Sequence, residues 1–228
     1  MEQVSKDDKV LIFSPHPDDD VIGMGGMMQK LNRDNVTLVY MTDGSGGYDK
    51  TRYHYNPRLH EAYRAVNVLG YTKENICIPR FPFYIMKSEP GVYDYSMAKN
   101  IIDSTKPNHI FVCGDSDPNK THDKCFKIVN SGIELVKQSG KYTDKIHVWA
   151  YNSVWGVWSE KDETSSVVIS KEEYRLKIES ILKHESQNPP MVAGEDPRPF
   201  HVRIEEKNRN GEQYEERFKL LYIVNSTN

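Results

Sequence analysis

The sequence predicts an α/β fold: a largely parallel β-sheet with helices on both faces. Three observations carry this. Short apolar runs alternate with longer segments of helical spacing through most of the chain. The informative polar stretches fall just after predicted strands, where open parallel sheets build their sites. No repeat, low-complexity tract or strong linker interrupts the 228 residues, which suit a single domain, 1–228, long enough to bury a real core.

The first element is "KVLIFS" (9–14), a β-rich run read as a buried strand. "VIGMGGMMQKLNRD" (21–34) follows as a helix, and "NVTLVYMTDG" (35–44) as a second strand ending in turn residues. "RLHEAYRAVNVLGY" (58–71) carries apolar residues at helical spacing, with Gly70 as its stop. "NICIPRF" (75–81) reads as a third strand. The aromatic, proline-rich "RFPFYIMKSEPGVYDY" (80–95) reads as a long loop, either a functional lid or plain surface cover. "SMAKNIIDSTKPN" (96–108) is a short helix broken at Pro107. "HIFVCGD" (109–115) is a fourth strand, "HDKCFKIVNSGIELVKQ" (122–138) a helix, "KIHVWAYNSVW" (145–155) a fifth strand and "KEEYRLKIESILKHESQ" (171–187) a further helix. Two β-like runs, "FHVRIEE" (200–206) and "ERFKLLYIV" (216–224), flank an Asn-Gly pair and predict a C-terminal β-hairpin.

Composition narrows the function classes. Hydrophobic content of 37% and charged content of 28% are ordinary for a soluble globular protein. A formal net charge of −3 gives no electrostatic case for nucleic acid or anionic membrane. No apolar run approaches ~20 residues, so stable membrane insertion is not expected. The polar start, "MEQVSKDDKV", is unlike a signal peptide. Cys77, Cys113 and Cys125 are odd in number and scattered. They argue against a disulfide framework and a cysteine zinc site, and predict reduced thiols in a cytoplasmic protein.

The turn after the first strand, "HPDDD" (16–20), concentrates the chemistry. Helix capping explains one or two of its aspartates, but less readily a third beside a histidine. A dinucleotide turn would place its glycines as G-x-G-x-x-G before any acids; here Gly23, Gly25 and Gly26 follow the acids with other spacing. Three carboxylates would repel a pyrophosphate and attract a cation. Imidazole with carboxylate suits Zn²⁺ or a neighbouring divalent metal such as Fe²⁺. A hydrolytic zinc site needs about three protein ligands. His16 and one aspartate supply two, and His122, opening the helix after strand four, is the candidate third. His54, His60, His109, His147 and His201 read as surface or core histidines.

At these residues the chain resembles the LmbE-like, or PIG-L-like, N-acetylglucosaminyl deacetylases. "PHPDDD" resembles that family's A-H-P-D-D-E and "MTDGSGG" its T-D-G-x-x-G. "RLHEAYRAVNVLG" is similar to its R-x-x-E helix, "DPNKTH" to its second metal motif, and "KIESILKHESQ" carries its H-x-S-Q ending. The pieces stand in family order from about residue 9 to 187. "DPNKTH" and "NSVWGVW" look closest to LmbE-like domains related to those fused to glucosamine-6-phosphate deaminases.

The resemblance implies a single Rossmann-like domain that removes the acetyl group from an N-acetylglucosamine-type sugar or small-molecule amino-sugar conjugate. His16, Asp19 and His122 would hold the zinc, and Asp18 would be the general base. Asp20 stands where the family has glutamate, with a capping or ligand-orienting task. Asn119 stands where the family often has a histidine that assists the oxyanion or leaving amine, and Thr121 where it has that histidine's aspartate. Asparagine donates hydrogen bonds but carries no proton. A metal- and sugar-binding protein with little or no activity is therefore the alternative. Asp117 would orient a ligand. Arg58 would bind a substrate hydroxyl, carboxylate or phosphate, or else pair with Glu61 one turn on. Asp43 would contact the site or cap its own turn. His184 would close the site or end its helix. Trp155 and Trp158 would stack on a sugar or pack in the core. Analogy with bacterial relatives adds a homo-oligomer.

Overall fold

The computed structural model describes residues 4–47, 49–114, 119–140, 145–153, 162–187 and 214–225. Seven strands form one sheet in the order β3-β2-β1-β4-β5-β7-β6. They are β1 (Val10–Ser14), β2 (Val36–Tyr40), β3 (Ile76–Cys77), β4 (His109–Cys113), β5 (Ile146–Tyr151), β6 (Ser165–Ile169) and β7 (Tyr214–Val224). The first five pair in parallel, and β7 runs antiparallel to both β5 and β6.

Alternation along the strands explains why both faces are covered. Val10 and Ile12 of β1, with Phe111 and Cys113 of β4, pack into a core with α1 (Asp19–Lys30), α2 (Arg58–Val68) and α6 (Lys171–Leu182). Leu11 and Phe13, with Ile110 and Val112, pack on the other face against α4 (Val92–Thr105) and α5 (Lys120–Ser139). All ten residues of β1 and β4 are buried, as strands covered on both faces require.

The chain lays down β1, β2 and β3 in one direction, then returns to place β4 on the other side of β1. The crevice between the carboxyl ends of β1 and β4 is therefore the topological switch point. The β1 turn and the start of α5 both sit there.

Several expectations need correcting. The predicted long loop at 80–95 contains a short helix, α3 (Pro82–Ile85), and the first turn of α4. Pro82 sits at the first helical position, where its missing N–H costs nothing, so its proline is a start signal. The third strand shrinks to Ile76–Cys77. The second predicted run of the hairpin is β7, but its partners are β5 and β6; the first run and the Asn-Gly turn lie outside the described residues. Strand β6 was not anticipated, because "SSVVI" is short and opens on two serines.

Helix α1 starts two residues earlier than predicted and breaks at Met24, with φ −149° and ψ 24°. The break leaves fresh backbone N–H groups in mid-helix. The Glu216 carboxylate of β7 accepts from Gly26 N at 2.7 Å and Met27 N at 2.6 Å, and takes the Lys177 ammonium of α6 at 2.6 Å. Both members of this ion pair are buried. A Cβ on Gly26 would lie 2.6 Å from Ile169 and 3.0 Å from the Glu216 carboxyl carbon, so glycine is required for this approach.

Candidate metal centre

The backbone of the β1 turn is pinned before any ligand is considered. Met41 N and Thr42 N donate to Ser14 O and Pro15 O, and Thr42 Oγ1 also donates to Pro15 O at 2.8 Å. Ser14 Oγ bridges to the His16 carbonyl at 2.6 Å and the Asp20 carboxyl at 3.3 Å, and Tyr40 donates to Asp20 from the far side at 3.1 Å. Burial pushes the Asp20 carboxyl up to about 7, against the pull of the Tyr40 hydrogen bond. Asp20 is thus the buried anchor of the turn. Its helix cap is not a side-chain one: Asp18 occupies the N-cap position with no side-chain cap bond.

The three predicted ligands converge. His16 Nδ1 lies 3.1 Å from Asp19 Oδ2 and 3.0 Å from His122 Nε2, and His122 Nε2 lies 3.2 Å from Asp19 Oδ2. These atoms form a nearly equilateral triangle. A tetrahedral ion with N and O ligands at ~2.0–2.1 Å has ligand–ligand edges of roughly 3.3 Å. The triangle fits one face of such a polyhedron, leaving the fourth position open. His16, Asp19 and His122 are the residues that could hold a metal among those described. Burial alone would raise the Asp19 carboxyl, but His122 and then His16 hold it well below the usual carboxylate range. Behind His122, the Cys113 thiol faces Nδ1 at 3.4 Å. A proton on Nδ1, shared with that sulfur, leaves Nε2 with a lone pair turned to the triangle.

Asp18 stands beside the triangle with a different partner. Its Oδ1 takes the Arg58 guanidinium at 2.7 Å, and both side chains are buried. The turn "TDGSGG" makes this reach possible. Gly44, at φ 64°, leaves room for the Arg58 stem, which would sit 2.7 Å from a Cβ there. Arg58 pairs with Asp18 rather than with Glu61, whose carboxylate instead accepts from Ser186 N at 2.8 Å and Ser186 Oγ at 2.6 Å. Gln187 Nε2 donates to Gly47 O at 2.7 Å. The "HESQ" segment is thus a clasp joining α6 to α2 and to the glycine turn. Sequence reasoning missed the Ser186–Glu61 and Cys113–His122 contacts, because partners 125 and 9 residues apart carry no local signal.

The remaining candidates fall as follows. Asn119 is the N-cap of α5, its Oδ1 accepting from Thr121 N at 2.9 Å. Asp43 Oδ1 accepts from Ser45 N at 2.9 Å, closing its own turn, and the residue also lines a cavity of ≈ 290 Å³ with Leu59, Phe81 and Tyr84. His184 is buried just past α6. Buried His109 and half-buried His147 stack on each other at 4.9 Å, and His54 and His60 are exposed. Asp117, Trp155, Trp158 and His201 lie outside the described residues. None of the three cysteines is in a disulfide. No helix among the described residues is long and apolar enough to cross a membrane.

An α/β sheet with a His-Asp-His triangle and an arginine-held aspartate at its switch point defines the class, and comparison with known proteins defines the family. The family model described as "GlcNAc-PI de-N-acetylase" (PIG-L) matches residues 11–132. The chain belongs to this family, as the motif resemblance implied. It is 30% identical to a putative glucosamine-6-phosphate deaminase-like protein of Bacteroides thetaiotaomicron, over 88% of this chain and 39% of that protein. It is 39% identical over 71 residues to the diacetylchitobiose deacetylase of Thermococcus kodakarensis, covering 28% of this chain and 27% of that enzyme. The chain thus spans 39% of the length of the Bacteroides protein, and its match to the Thermococcus enzyme is confined to 27% of that enzyme. The structure of the N,N'-diacetylchitobiose deacetylase of Pyrococcus horikoshii superposes with a TM-score of 0.67 at 25% identity, covering 97% of this chain and 85% of that one.

Proposed function

We propose that this protein is a metal-dependent hydrolase that removes the N-acetyl group from an N-acetylglucosamine-type sugar or sugar conjugate. The observation that carries the reading is the His16–Asp19–His122 triangle, with Asp18 beside it held by Arg58. Residues 1–228 act as one domain in this reading. Two family relatives named as diacetylchitobiose deacetylases support the sugar class.

His16, Asp19 and His122 would hold the ion, with Zn²⁺ or Fe²⁺ suiting the N and O donors. When bound, such an ion supplies Lewis-acid activation of a water and of the amide carbonyl. The chain's own residues do the rest. Asp18 takes the proton from the attacking water on the carboxylate oxygen that Arg58 leaves open. The guanidinium fixes the carboxylate's orientation and compensates its burial. As the C–N bond breaks, Asp18 returns that proton to the departing amine, so water and amide become acetate and free amine. This double duty follows from Asn119, whose carboxamide oxygen caps α5 and which has no proton to give. In this reading His184 would assist catalysis and Asp43 would contact the substrate.

The same Asn119 cap favours a second reading, a metal- and sugar-binding protein without chemistry. One experiment separates the two: acetate release from N-acetylglucosamine, its 6-phosphate and diacetylchitobiose, with chelated and zinc-reconstituted protein and metal content read on the same samples. Release that returns only with metal is the expected result. Stoichiometric zinc with no release from any of the three supports the second reading, and Asn119→His then tests whether the lost histidine is the cause.

A further inference from the structure

At the N-terminus of α5, the helix that carries His122, lies a cavity of ≈ 420 Å³ lined in part by Lys50, Lys87, Lys120 and Lys124. We propose that it is a phosphate-binding subsite, and that the acylated amino sugar handled by this protein carries a phosphate monoester. The inference rests on the function proposed above and names its substrate class.

Charge is the first argument. The chain as a whole is acidic, at −3, yet among the described residues four lysines and no carboxylate line this cavity. Lys124 reaches Glu89 at 2.8 Å and Ser88 O at 3.1 Å. Glu89 is exposed, so that pair is screened by water and holds the ammonium weakly. Lys50, Lys87 and Lys120 form no ion pair among the described residues. Like charges gathered around one concave surface repel each other, and their summed field favours an anion there. Three ammoniums without an ion-pair partner among the described residues match a dianion better than a single carboxylate.

Neutral donors are the second argument. Tyr84 Oη already accepts from Gly46 N at 3.2 Å, which leaves its own proton to donate. Ser45 and Thr121 add hydroxyls to the lining. The cavity also sits at the N-terminus of α5, whose 20 residues direct the positive end of their dipole toward it.

Placement is the third argument. Thr121 and Lys120 line the cavity, and the next residue, His122, contributes to the triangle. Ser45 and Gly46 come from the turn that encloses Arg58. The start of α5 therefore contributes to both the metal centre and the lysine cavity, and the glycine turn that lines the cavity also encloses the arginine holding Asp18. A phosphate seated in the cavity would hold its sugar beside the triangle. The backbone at Lys87 is held by the turn that closes α3, where Lys87 N and Ser88 N donate to Tyr84 O and Phe83 O.

The test titrates inorganic phosphate into wild-type protein and into a K50Q/K87Q/K120Q variant at matched ionic strength, then compares acetate release from N-acetylglucosamine and its 1- and 6-phosphates. Loss of even one charge-assisted contact costs about tenfold. Wild type is expected to bind phosphate at one site, and the variant at least about tenfold more weakly. The phosphorylated sugars should be turned over with kcat/KM at least about tenfold higher than the parent sugar, and the variant should erase that preference. Wild type that fails to bind phosphate, or a variant that binds it equally, overturns the subsite. Equal turnover of phosphorylated and parent sugars overturns the substrate class while leaving the deacetylase standing. Lysine-dependent phosphate binding with no acetate release from any sugar retains the subsite and removes the deacetylase.

Discussion

At the scale of single residues, three consecutive aspartates have three different neighbours and three different tasks. Asp18 faces Arg58, Asp19 faces two imidazoles, and Asp20 is buried between Ser14 and Tyr40. The sequence made the ligands legible, since His16, Asp19 and His122 carry the donor types a divalent metal takes and sit in the turns or helix starts that follow strands. It did not reveal Arg58's partner. Spacing alone offered Glu61 one turn away, and only the fold brings Asp18 within 2.7 Å. Removing one member of a buried ion pair strands the other charge, at a cost of about 3–5 kcal/mol. Arg58→Ala should therefore lower unfolding stability in urea by that order and abolish activity. A variant of unchanged urea midpoint would show that the pair does not hold the turn.

At the scale of elements, the helices were largely visible and their internal irregularities were not. Helical spacing marked α2 and α5 near their observed bounds and the start of α6, which ends at Leu182, short of the predicted 187. The break at Met24 was hidden because its compensation comes from a distant strand: Glu216 lies 190 residues from Gly26. The glycines after "HPDDD" looked like a nucleotide signal out of place; Gly25 and Gly26 instead let Lys177 and Glu216 approach the helix backbone. Gly26→Ala should cost about 1–3 kcal/mol through overpacking against Ile169. Glu216→Ala should cost about 3–5 kcal/mol, because it leaves a buried lysine and two helix N–H groups without their acceptor. Thermal and urea unfolding of both variants checks the order of effects.

At the scale of the whole molecule, parallel strand order decides where chemistry can occur. The switch point between β1 and β4 brings His16 and His122 together across 106 residues. Alternation in the sequence was enough to predict a parallel sheet, and with it a site at the strand ends. Strand order and the antiparallel edge were not legible, since pairing is settled by packing partners far apart in the chain. A metal bound across the switch point stabilises only the folded state. Zinc at about 100 times its Kd should add roughly 2.7 kcal/mol, and His122→Ala should remove the shift. The opposite end of the sheet carries one acid-sensitive contribution to stability. His109 accepts from Trp149 Nε1 at 3.1 Å and faces Asp8 at 3.1 Å, and burial lowers its pKa below the ordinary 6.5. The unfolded chain then binds the proton more readily, so stability is full above pH 6.5 and falls as pH drops below it. The slope is at most about 1.4 kcal/mol per pH unit for this group. His109→Asn should flatten that part of the stability profile. The central claim is that Asp18 does chemistry at a metal site it does not build. The most direct measurement is acetate release by zinc-loaded wild type and Asp18→Ala, with zinc content read on both. Equal zinc with release reduced at least about 100-fold is the predicted result. Full activity in Asp18→Ala, or loss of zinc along with activity, would contradict it.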